Sequence, residues 1–267
     1  MSITRQKLIT QIKKKHSFLC VGLDTDISKI PERFYKDKFP QFAFNRFIVN
    51  ETAPYAVAYK PNLAFYESQG AKGIEELKMT IDHIRYHYPD IFLIADAKRG
   101  DIGNTSKHYA KTFFEYFDFD AVTLSPYMGK DVITPFLTYK NKWVILLGLT
   151  SNSSADKVQL FENTDGTKLF EHIFKLGLQW GTPENTMFVV GATKPEYLKA
   201  LRTLAPDSFF LVPGIGAQGG NLNNVIAYGQ NNDGGLLINS SRGIIFSDSP
   251  GKEASYLQKQ IASTVKW

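Results

Sequence analysis

Several features that mark specialised classes of protein are scarce in this sequence. Cys20 is its single cysteine, so no disulfide can form within the chain, which suits a reducing compartment. No run approaches the roughly 18 apolar residues of a membrane-spanning helix, and the charged segment 1–16 lacks the apolar core of a secretory signal. The sequence therefore predicts a cytoplasmic protein that does not enter a membrane.

A strong charge bias is also missing. The chain has 31 Lys and Arg against 26 Asp and Glu, a formal net charge of +5, and no run of five basic residues. The densest basic stretch, Lys13, Lys14 and Lys15, is typical of the solvent-facing side of an N-terminal helix. This modest charge does not favour a nucleic-acid partner, and an anionic small molecule explains basic residues in a cleft equally well.

Short apolar runs rich in β-branched residues recur along the chain, each ending in small or polar residues. Continuous rather than alternating apolar runs indicate strands that are buried on both faces, as in a parallel sheet. The runs occupy residues 18–24, 55–60, 91–98, 121–125, 143–150, 187–192, 209–215 and 235–241.

Helical periodicity separates the apolar runs. Apolar residues at steps of three or four predict a helix over 74–88, and a cap cluster at Asn104 precedes a predicted helix over 105–117. Segments 194–204 and 255–265 show similar patterns. Eight alternations of strand and helix without a linker predict one (β/α)8 barrel domain over 1–267, with an additional N-terminal helix. A doubly wound open sheet is the alternative, but it leaves two strands unplaced.

Charged side chains are concentrated at the end of the third predicted strand. Asp96 and Lys98 are two residues apart, so both should point to the same face of the strand. Asp101 follows in the next loop. Catalytic groups of barrel enzymes lie at the carboxyl ends of the strands, and charges there are costly unless they are paired or functional.

Two further strands end in a charged residue. Asp24 closes the first strand and Lys60 closes the second. Strands one to three therefore deliver two aspartates and two lysines to one rim, which predicts an active site. A purely structural network of ion pairs is the alternative.

A glycine-rich segment, Gly-x-Gly-x-x-Gly at 214–219, follows the seventh strand. A dinucleotide-binding motif would follow the first strand and be paired with an acidic residue further on, so that interpretation fails. The loops after strands seven and eight of a barrel commonly bind phosphate. We therefore predict an anion site there in which Arg242 adds a forked cationic donor. Glycines that serve only tight turns are the alternative.

Other candidate sites are weaker. His83 and His87 have a spacing compatible with a metal site, but they lie on a helix away from the rim. Cys20 lies mid-strand and is expected to pack in the core. The sequence contains no Gly-x-Ser-x-Gly nucleophile motif. It therefore predicts neither a metal site nor a serine nucleophile.

Taken in order, these motifs resemble the orotidine 5'-phosphate decarboxylase family, in its longer bacterial subgroup. Residues 96–105 match the family's D-x-K-x-x-D-I-x-N-T signature. Segments 22–24, 60–62, 150–152, 213–216 and 241–243 are similar to its other motifs. The matches extend from residue 22 to residue 243. Related phosphate-binding decarboxylases and synthases share part of the central motif.

The resemblance implies a cofactor-free and metal-free decarboxylation of orotidine 5'-phosphate to uridine 5'-phosphate, the last step of de novo uridine monophosphate synthesis. Lys98 would protonate C6 of the pyrimidine, and Asp96 would lie beside the substrate carboxylate. Lys60 and Asp101 would complete an alternating array of charges. The resemblance also implies a homodimer in which Asp101 and Thr105 reach into the partner's site.

The resemblance further implies a set of substrate contacts. Asp24 and Lys60 would hold ribose hydroxyls, while Thr150 and Ser151 would meet the pyrimidine edge, with the choice between them open. The phosphate side would be formed by Pro213, Gln218, Ser241 and Arg242.

Three alternatives remain from the sequence. A related keto-sugar phosphate decarboxylase or hexulose phosphate synthase would be expected to need a divalent metal and a further carboxylate near the rim. A non-catalytic phosphosugar-binding barrel does not explain the set of four charges. A nucleic-acid-binding protein would be expected to carry a patch of interleaved aromatic and basic residues.

Overall fold

The structure is a computed structural model that describes residues 2–215 and 220–265. Its eight strands are parallel and form one closed barrel in sequence order. The last strand pairs with the first, with Leu19 opposite Ile238. The predicted (β/α)8 barrel is therefore confirmed, and the open-sheet alternative is wrong.

Each strand lies within one of the eight predicted apolar runs or overlaps it closely. Most strand positions are fully buried, because side chains alternate between the barrel interior and the layer of helices outside it. The strands are β1 Leu19–Leu23, β2 Ala58–Pro61, β3 Phe92–Arg99, β4 Ala121–Leu124, β5 Trp143–Leu149, β6 Thr186–Val190, β7 Phe209–Pro213 and β8 Leu236–Ser240.

The helices surround the barrel, and short helical turns interrupt several loops. Single-turn 3-10 segments occur at Ile27–Lys29, Glu32–Lys36, Pro126–Met128 and Ser153–Ala155, and a π-helical turn at Thr112–Tyr116. The α-helices are α1 Arg5–Lys15, α2 Pro40–Thr52, α3 Ala64–Glu67, α4 Gly70–His87, α5 Gly103–Lys111, α6 Lys130–Leu137, α7 Asp156–Gln159, α8 Leu169–Trp180, α9 Pro195–Leu204, α10 Leu222–Gly229, α11 Arg242–Ile245 and α12 Pro250–Thr264.

The N-terminal segment is tied to the amino-terminal end of the barrel. The backbone N–H of Ile3 donates to Asp120 Oδ1 at 3.0 Å, and the indole of Trp143 donates to the carbonyl of Ile3 at 3.0 Å. Asp120 is fully buried and is paired with Arg85 at 3.0 Å. The end of the barrel opposite the predicted site is therefore sealed by buried hydrogen bonds and ion pairs.

Some local predictions differ from the structure. α5 begins at Gly103, so Asn104 lies within its first turn rather than capping it, and the helix passes into the π turn after Lys111. α12 begins at Pro250, five residues before the predicted start. Lys15 is not purely solvent-facing, because its ammonium donates to the carbonyls of Ala53 and Ala56, both at 2.7 Å.

The described helices are all too short or too polar to cross a membrane.

Candidate active site

Four charged side chains meet at the carboxyl ends of the first three strands. The Nζ atom of Lys60, at the end of β2, lies 2.7 Å from Asp96 Oδ2 and 3.8 Å from Asp24 Oδ1. The ammonium of Lys98 contacts the other oxygen of Asp96. The structure therefore places Asp24, Lys60, Asp96 and Lys98 in one continuous chain of alternating charge.

Burial and neighbouring charges shift the pKa values of Lys60 and Asp96 in opposite directions. Burial alone would lower the pKa of Lys60, but the carboxylates of Asp96 and Asp24 outweigh it and hold that pKa above its usual range. Burial alone would raise the pKa of Asp96, but Lys60 and Lys98 hold it well below its usual range. Both groups are therefore charged at neutral pH, although Lys60 is only 4% exposed.

The backbone at Lys98 departs from a regular strand. Its φ is +47°, a left-handed conformation that is uncommon for residues other than glycine. The pairing of β3 with β4 also shifts register between Ala95 and Arg99. Simple alternation along the strand therefore does not account for the contact between Asp96 and Lys98; a bulge brings their side chains together. The Lys98 side chain stays half exposed at the mouth of the barrel.

Thr123 on β4 supports this bulge, and sequence reasoning did not find it. Its hydroxyl oxygen accepts the backbone N–H groups of Ala97 at 3.0 Å and Lys98 at 2.9 Å. The same oxygen lies 3.2 Å from Asp96 Oδ1, to which it donates. The available signal was a lone polar residue in a buried apolar strand, next to the strand that carries Asp96.

A cavity of about 360 Å³ opens beside the charged array. Asp24 Oδ1 is buried in the described structure without a hydrogen-bond donor, although Asp24 lines this cavity. A buried carboxylate oxygen without a donor is costly. Its counter-charge is the ammonium of Lys60 at 3.8 Å. The predicted residues on the lining are Asp24, Lys60, Asp96, Pro213, Ser241 and Arg242.

The side of the cavity away from the array is formed by the ends of β7 and β8. Gly214 has a φ of +102°, and the guanidinium of Arg242 is exposed where α11 begins. Ser241 Oγ donates to the carbonyl of Gly22 at 3.0 Å. A side chain at Gly22 would meet Ser241 Cβ at 2.8 Å, so β1 needs glycine there. Gln218 lies outside the described residues.

Five of the described predicted residues do not line this cavity: Lys98, which contacts the lining residue Asp96, and four residues on the loops after β3 and β5. Asp101 and Thr105 lie beyond β3, where Thr105 is exposed. Asp101 accepts the backbone N–H of Ile102 at 2.7 Å and makes no ion pair with any residue that the structure describes. Thr150 and Ser151 lie in the loop after β5.

The structure of the loop after β5 separates Thr150 and Ser151, the two candidates for contact with the pyrimidine edge. Thr150 Oγ1 accepts from Gln159 Nε2 at 2.8 Å and donates to Asn152 Oδ1 at 2.6 Å. The carboxamide of Gln159 also accepts the backbone N–H of Thr150 at 2.8 Å. Ser151 packs against the end of β6, within 3.0 Å of the position that a Cβ of Gly191 would occupy. The Thr150 hydroxyl is thus committed to its own loop.

Further polar residues on the cavity were missed by sequence reasoning. Asn239 on β8 is 8% exposed and lies 3.7 Å from the Cys20 sulfur. Glu253, Tyr256 and Gln260 line the cavity from α12. Asn239 adjoins the Ser-Ser-Arg-Gly motif, which was its available signal. The α12 residues are distant in sequence from every recognised motif.

The weaker candidates do not line the cavity. Cys20 is buried, and burial raises the pKa of its thiol to about 12. His83 Nε2 lies 3.0 Å from Asn50 Oδ1, and its ring is tilted by 47° against that of His87. Within residues 2–215 and 220–265, no three His, Cys, Asp or Glu side chains are grouped as metal ligands.

Comparison with known proteins places this architecture in a family. Residues 17–257 match the family model described as orotidine 5'-phosphate decarboxylase / HUMPS family. The chain belongs to this family. The match covers the whole barrel, from the start of β1 into α12, and confirms the resemblance drawn from the motifs.

Known relatives align with this chain over nearly its full length. The chain is 54% identical to the orotidine 5'-phosphate decarboxylase of Phocaeicola vulgatus, with 97% of this chain and 98% of the relative covered. It is 52% identical to that of Bacteroides fragilis, with 99% of each covered. The OMP decarboxylase structure from Leishmania donovani superposes with a TM-score of 0.86 at 34% identity, covering 99% and 98% of the two chains.

Proposed function

We propose that this protein decarboxylates orotidine 5'-phosphate to uridine 5'-phosphate and carbon dioxide, without a metal or an organic cofactor. The observation that carries this proposal is the ion-paired set Lys60, Asp96 and Lys98 beside the 360 Å³ cavity. The relatives named for this reaction share the chain from end to end. We further propose that residues 1–267 act as one catalytic domain.

Lys98 is the proposed proton donor. In the reaction the bond between C6 and the carboxylate carbon breaks, carbon dioxide leaves, and the electron pair remains on C6. An ammonium positioned beforehand at C6 stabilises that developing charge electrostatically. It then transfers its proton to C6 and regains one from solvent. Half exposure of Lys98 supports this role, because the group must reach both the substrate and water.

Asp96 is proposed to face the departing carboxylate. Its fixed negative charge repels the substrate carboxylate and favours its departure as neutral carbon dioxide. Lys60 and Lys98 keep Asp96 ionised, as the lowered pKa indicates. Binding of the distant phosphate and ribose would offset this repulsion when the substrate enters.

The remaining proposed residues contact the ribose, the phosphate and the pyrimidine edge of the substrate. Asp24 and Lys60 are proposed for the ribose hydroxyls, and their position on the cavity lining supports this assignment. Pro213, Ser241 and Arg242 are proposed for the phosphate, together with Gln218. For the pyrimidine edge we choose Ser151 over Thr150, because the Thr150 hydroxyl already donates and accepts within its own loop.

A homodimer is proposed to complete each site. Asp101 and Thr105 would enter the partner's site, where Asp101 would extend the alternating charges. Two observations support this. Asp101 has no ion pair among the described residues of its own chain, and exposed apolar side chains lie in its own loop and in the loop after β4, where Ser125 approaches Gly100. These are Ile102 at 55%, Tyr127 at 86% and Met128 at 48% exposure.

The proposed activity is tested by following the ultraviolet absorbance of orotidine 5'-phosphate in chelator-treated protein. We expect full turnover in EDTA, with uridine 5'-phosphate as the nucleotide product. Activity that disappears in EDTA and returns with Mg²⁺ would contradict metal independence. Turnover of a keto-hexulose phosphate in place of orotidine 5'-phosphate would favour the synthase-like relative.

A further inference from the structure

The hydroxyl of Thr123 is the one polar side-chain group of β4, and it is almost completely buried at 1% exposure. β4 is the barrel neighbour of β3, which carries Asp96 and Lys98. Regular pairing between the two strands holds Ala95 opposite Val122 and resumes with Arg99 opposite Leu124. Three residues of β3, 96 to 98, therefore lie opposite Thr123 alone.

Across this bulge, the Thr123 hydroxyl accepts the backbone N–H groups of β3 that would otherwise pair with the backbone of β4. A hydroxyl has two acceptor sites and one proton. The N–H groups of Ala97 and Lys98 occupy both acceptor sites, at 3.0 and 2.9 Å. The proton is directed to Asp96 Oδ1 at 3.2 Å, a shorter distance than the 3.5 Å to the carbonyl of Ala95. The hydrogen-bonding capacity of the hydroxyl is thus filled by three consecutive residues of β3.

The consequence is that one atom fixes the directions of two charged side chains. The bond to the Lys98 N–H holds a residue whose φ of +47° is intrinsically disfavoured, so the side chain turns back toward Asp96. The bond to Asp96 Oδ1 limits rotation of the carboxylate that Lys60 and Lys98 share. Such backbone strain persists only where neighbouring groups hold it in place.

We propose that Thr123 is a positioning residue for the decarboxylation step, holding Lys98 and Asp96 in the geometry that the reaction needs. This inference rests on the proposed function. Thr123 does not itself line the substrate cavity. Its hydroxyl should therefore matter for the chemical step and not for binding of ribose or phosphate.

The test compares Thr123→Val, which keeps the shape and removes the hydroxyl, with Thr123→Ser, which keeps the hydroxyl. We expect Thr123→Val to lower kcat about 10- to 100-fold, the cost of small misplacement of catalytic groups. KM and the Kd for uridine 5'-phosphate should stay within about twofold of wild type. Thr123→Ser should restore kcat to within about threefold of wild type.

Thr186→Val is the matched control, because Thr186 is also a buried threonine on a strand but begins β6 at the opposite end of the barrel. It should leave kcat unchanged. If Thr123→Val does not fold, Thr123→Ala is assayed in its place with the same expectation. A kcat near wild type in the variant lacking the hydroxyl, or parallel losses in kcat and product affinity, would overturn the proposal.

Hydrogen exchange separates this proposal from the proposed function. The amides of Ala97 and Lys98 should exchange slowly in the wild type and at least about tenfold faster in Thr123→Val. This result together with a wild-type chain inactive on orotidine 5'-phosphate would refute the function but keep the structural role. Unchanged exchange at both amides would refute the role of Thr123 whatever the activity.

Discussion

At the scale of single residues, the site depends on charges that are buried together. Lys60 and Asp96 are each less than 10% exposed and lie 2.7 Å apart. A buried ion pair gains little over well-packed apolar residues, but removing one partner leaves a costly unpaired charge. This pair is therefore better explained by function than by stability.

A double-mutant cycle tests this explanation. We expect Lys60→Met and Asp96→Leu each to lower the free energy of unfolding, by about 2–4 kcal/mol, because each removes the closest buried counter-charge. Asp96 would then keep only Lys98, and Lys60 only Asp24 at 3.8 Å. The double variant should be less destabilised than the sum of the two. Urea unfolding measures all four proteins, and activity should be lost in all three variants. Additive effects on stability would contradict the buried pairing.

The Ser151 assignment is also tested at this scale. Ser151→Ala should lower kcat/KM for orotidine 5'-phosphate about tenfold, the effect of losing one hydrogen bond. Thr150→Val should lower it less than about threefold, because its hydroxyl bonds within the loop. Steady-state kinetics of both variants decide the matter, and the reverse order would assign the pyrimidine edge to Thr150.

At the scale of elements, most of the barrel could be predicted from the sequence. The eight strands were predictable because each is buried on both faces and so forms a continuous apolar run. The rim charges at Asp24, Lys60 and Asp96 followed from their position at the ends of those runs. The long-range pairing that closes β8 onto β1 was inferred only from the number of strands and their regular alternation with helices.

Other features depend on contacts between segments that are distant in sequence. The bulge at Lys98 could not be predicted, because a left-handed lysine has no sequence signature and is held by Thr123 from the next strand. The commitment of Thr150 to Gln159 is likewise set by how the loop folds back on itself. The contribution of α12 to the cavity depends on how the last helix packs against α11 and β1.

The elements after β7 and β8 lead to a prediction about phosphate. Arg242→Ala should cost about 2–4 kcal/mol in transition-state binding for the nucleotide substrate, because a charge-assisted contact is lost. The bare nucleoside should be affected far less. Kinetics on both substrates give the comparison, with Arg46→Ala on the exposed side of α2 as a control. Equal losses on nucleotide and nucleoside would show that Arg242 does not bind phosphate.

At the scale of the whole molecule, the two ends of the barrel differ in structure. Buried pairs such as Arg85 with Asp120 seal the amino-terminal end, whereas charges at the carboxyl end surround an open cavity. The exposed Ile102, Tyr127 and Met128 lie in the loops after β3 and β4, at the carboxyl end of the barrel. The proposed dimer would bury them and join two cavities across a twofold axis.

Mixing inactive variants tests this shared site. Lys98→Ala and Asp101→Ala homodimers should each be nearly inactive. In a mixed dimer one site collects both defects and the other collects none. Since about half the dimers are mixed after random exchange, roughly 25% of wild-type activity should return. Differently tagged subunits verify the exchange. No recovery despite verified exchange would mean that Asp101 acts within its own chain or not at all.

The central claim is that Lys98, held in the charged rim, performs the decarboxylation. Its most direct test measures uridine 5'-phosphate formed by wild type and Lys98→Ala, both purified identically from a host that lacks its own decarboxylase activity. We predict that the wild type forms one uridine 5'-phosphate for each orotidine 5'-phosphate consumed. The variant should be slower by a factor on the order of 10³ or more, since it loses both electrostatic stabilisation and the proton donor. A variant as fast as the wild type would contradict the account.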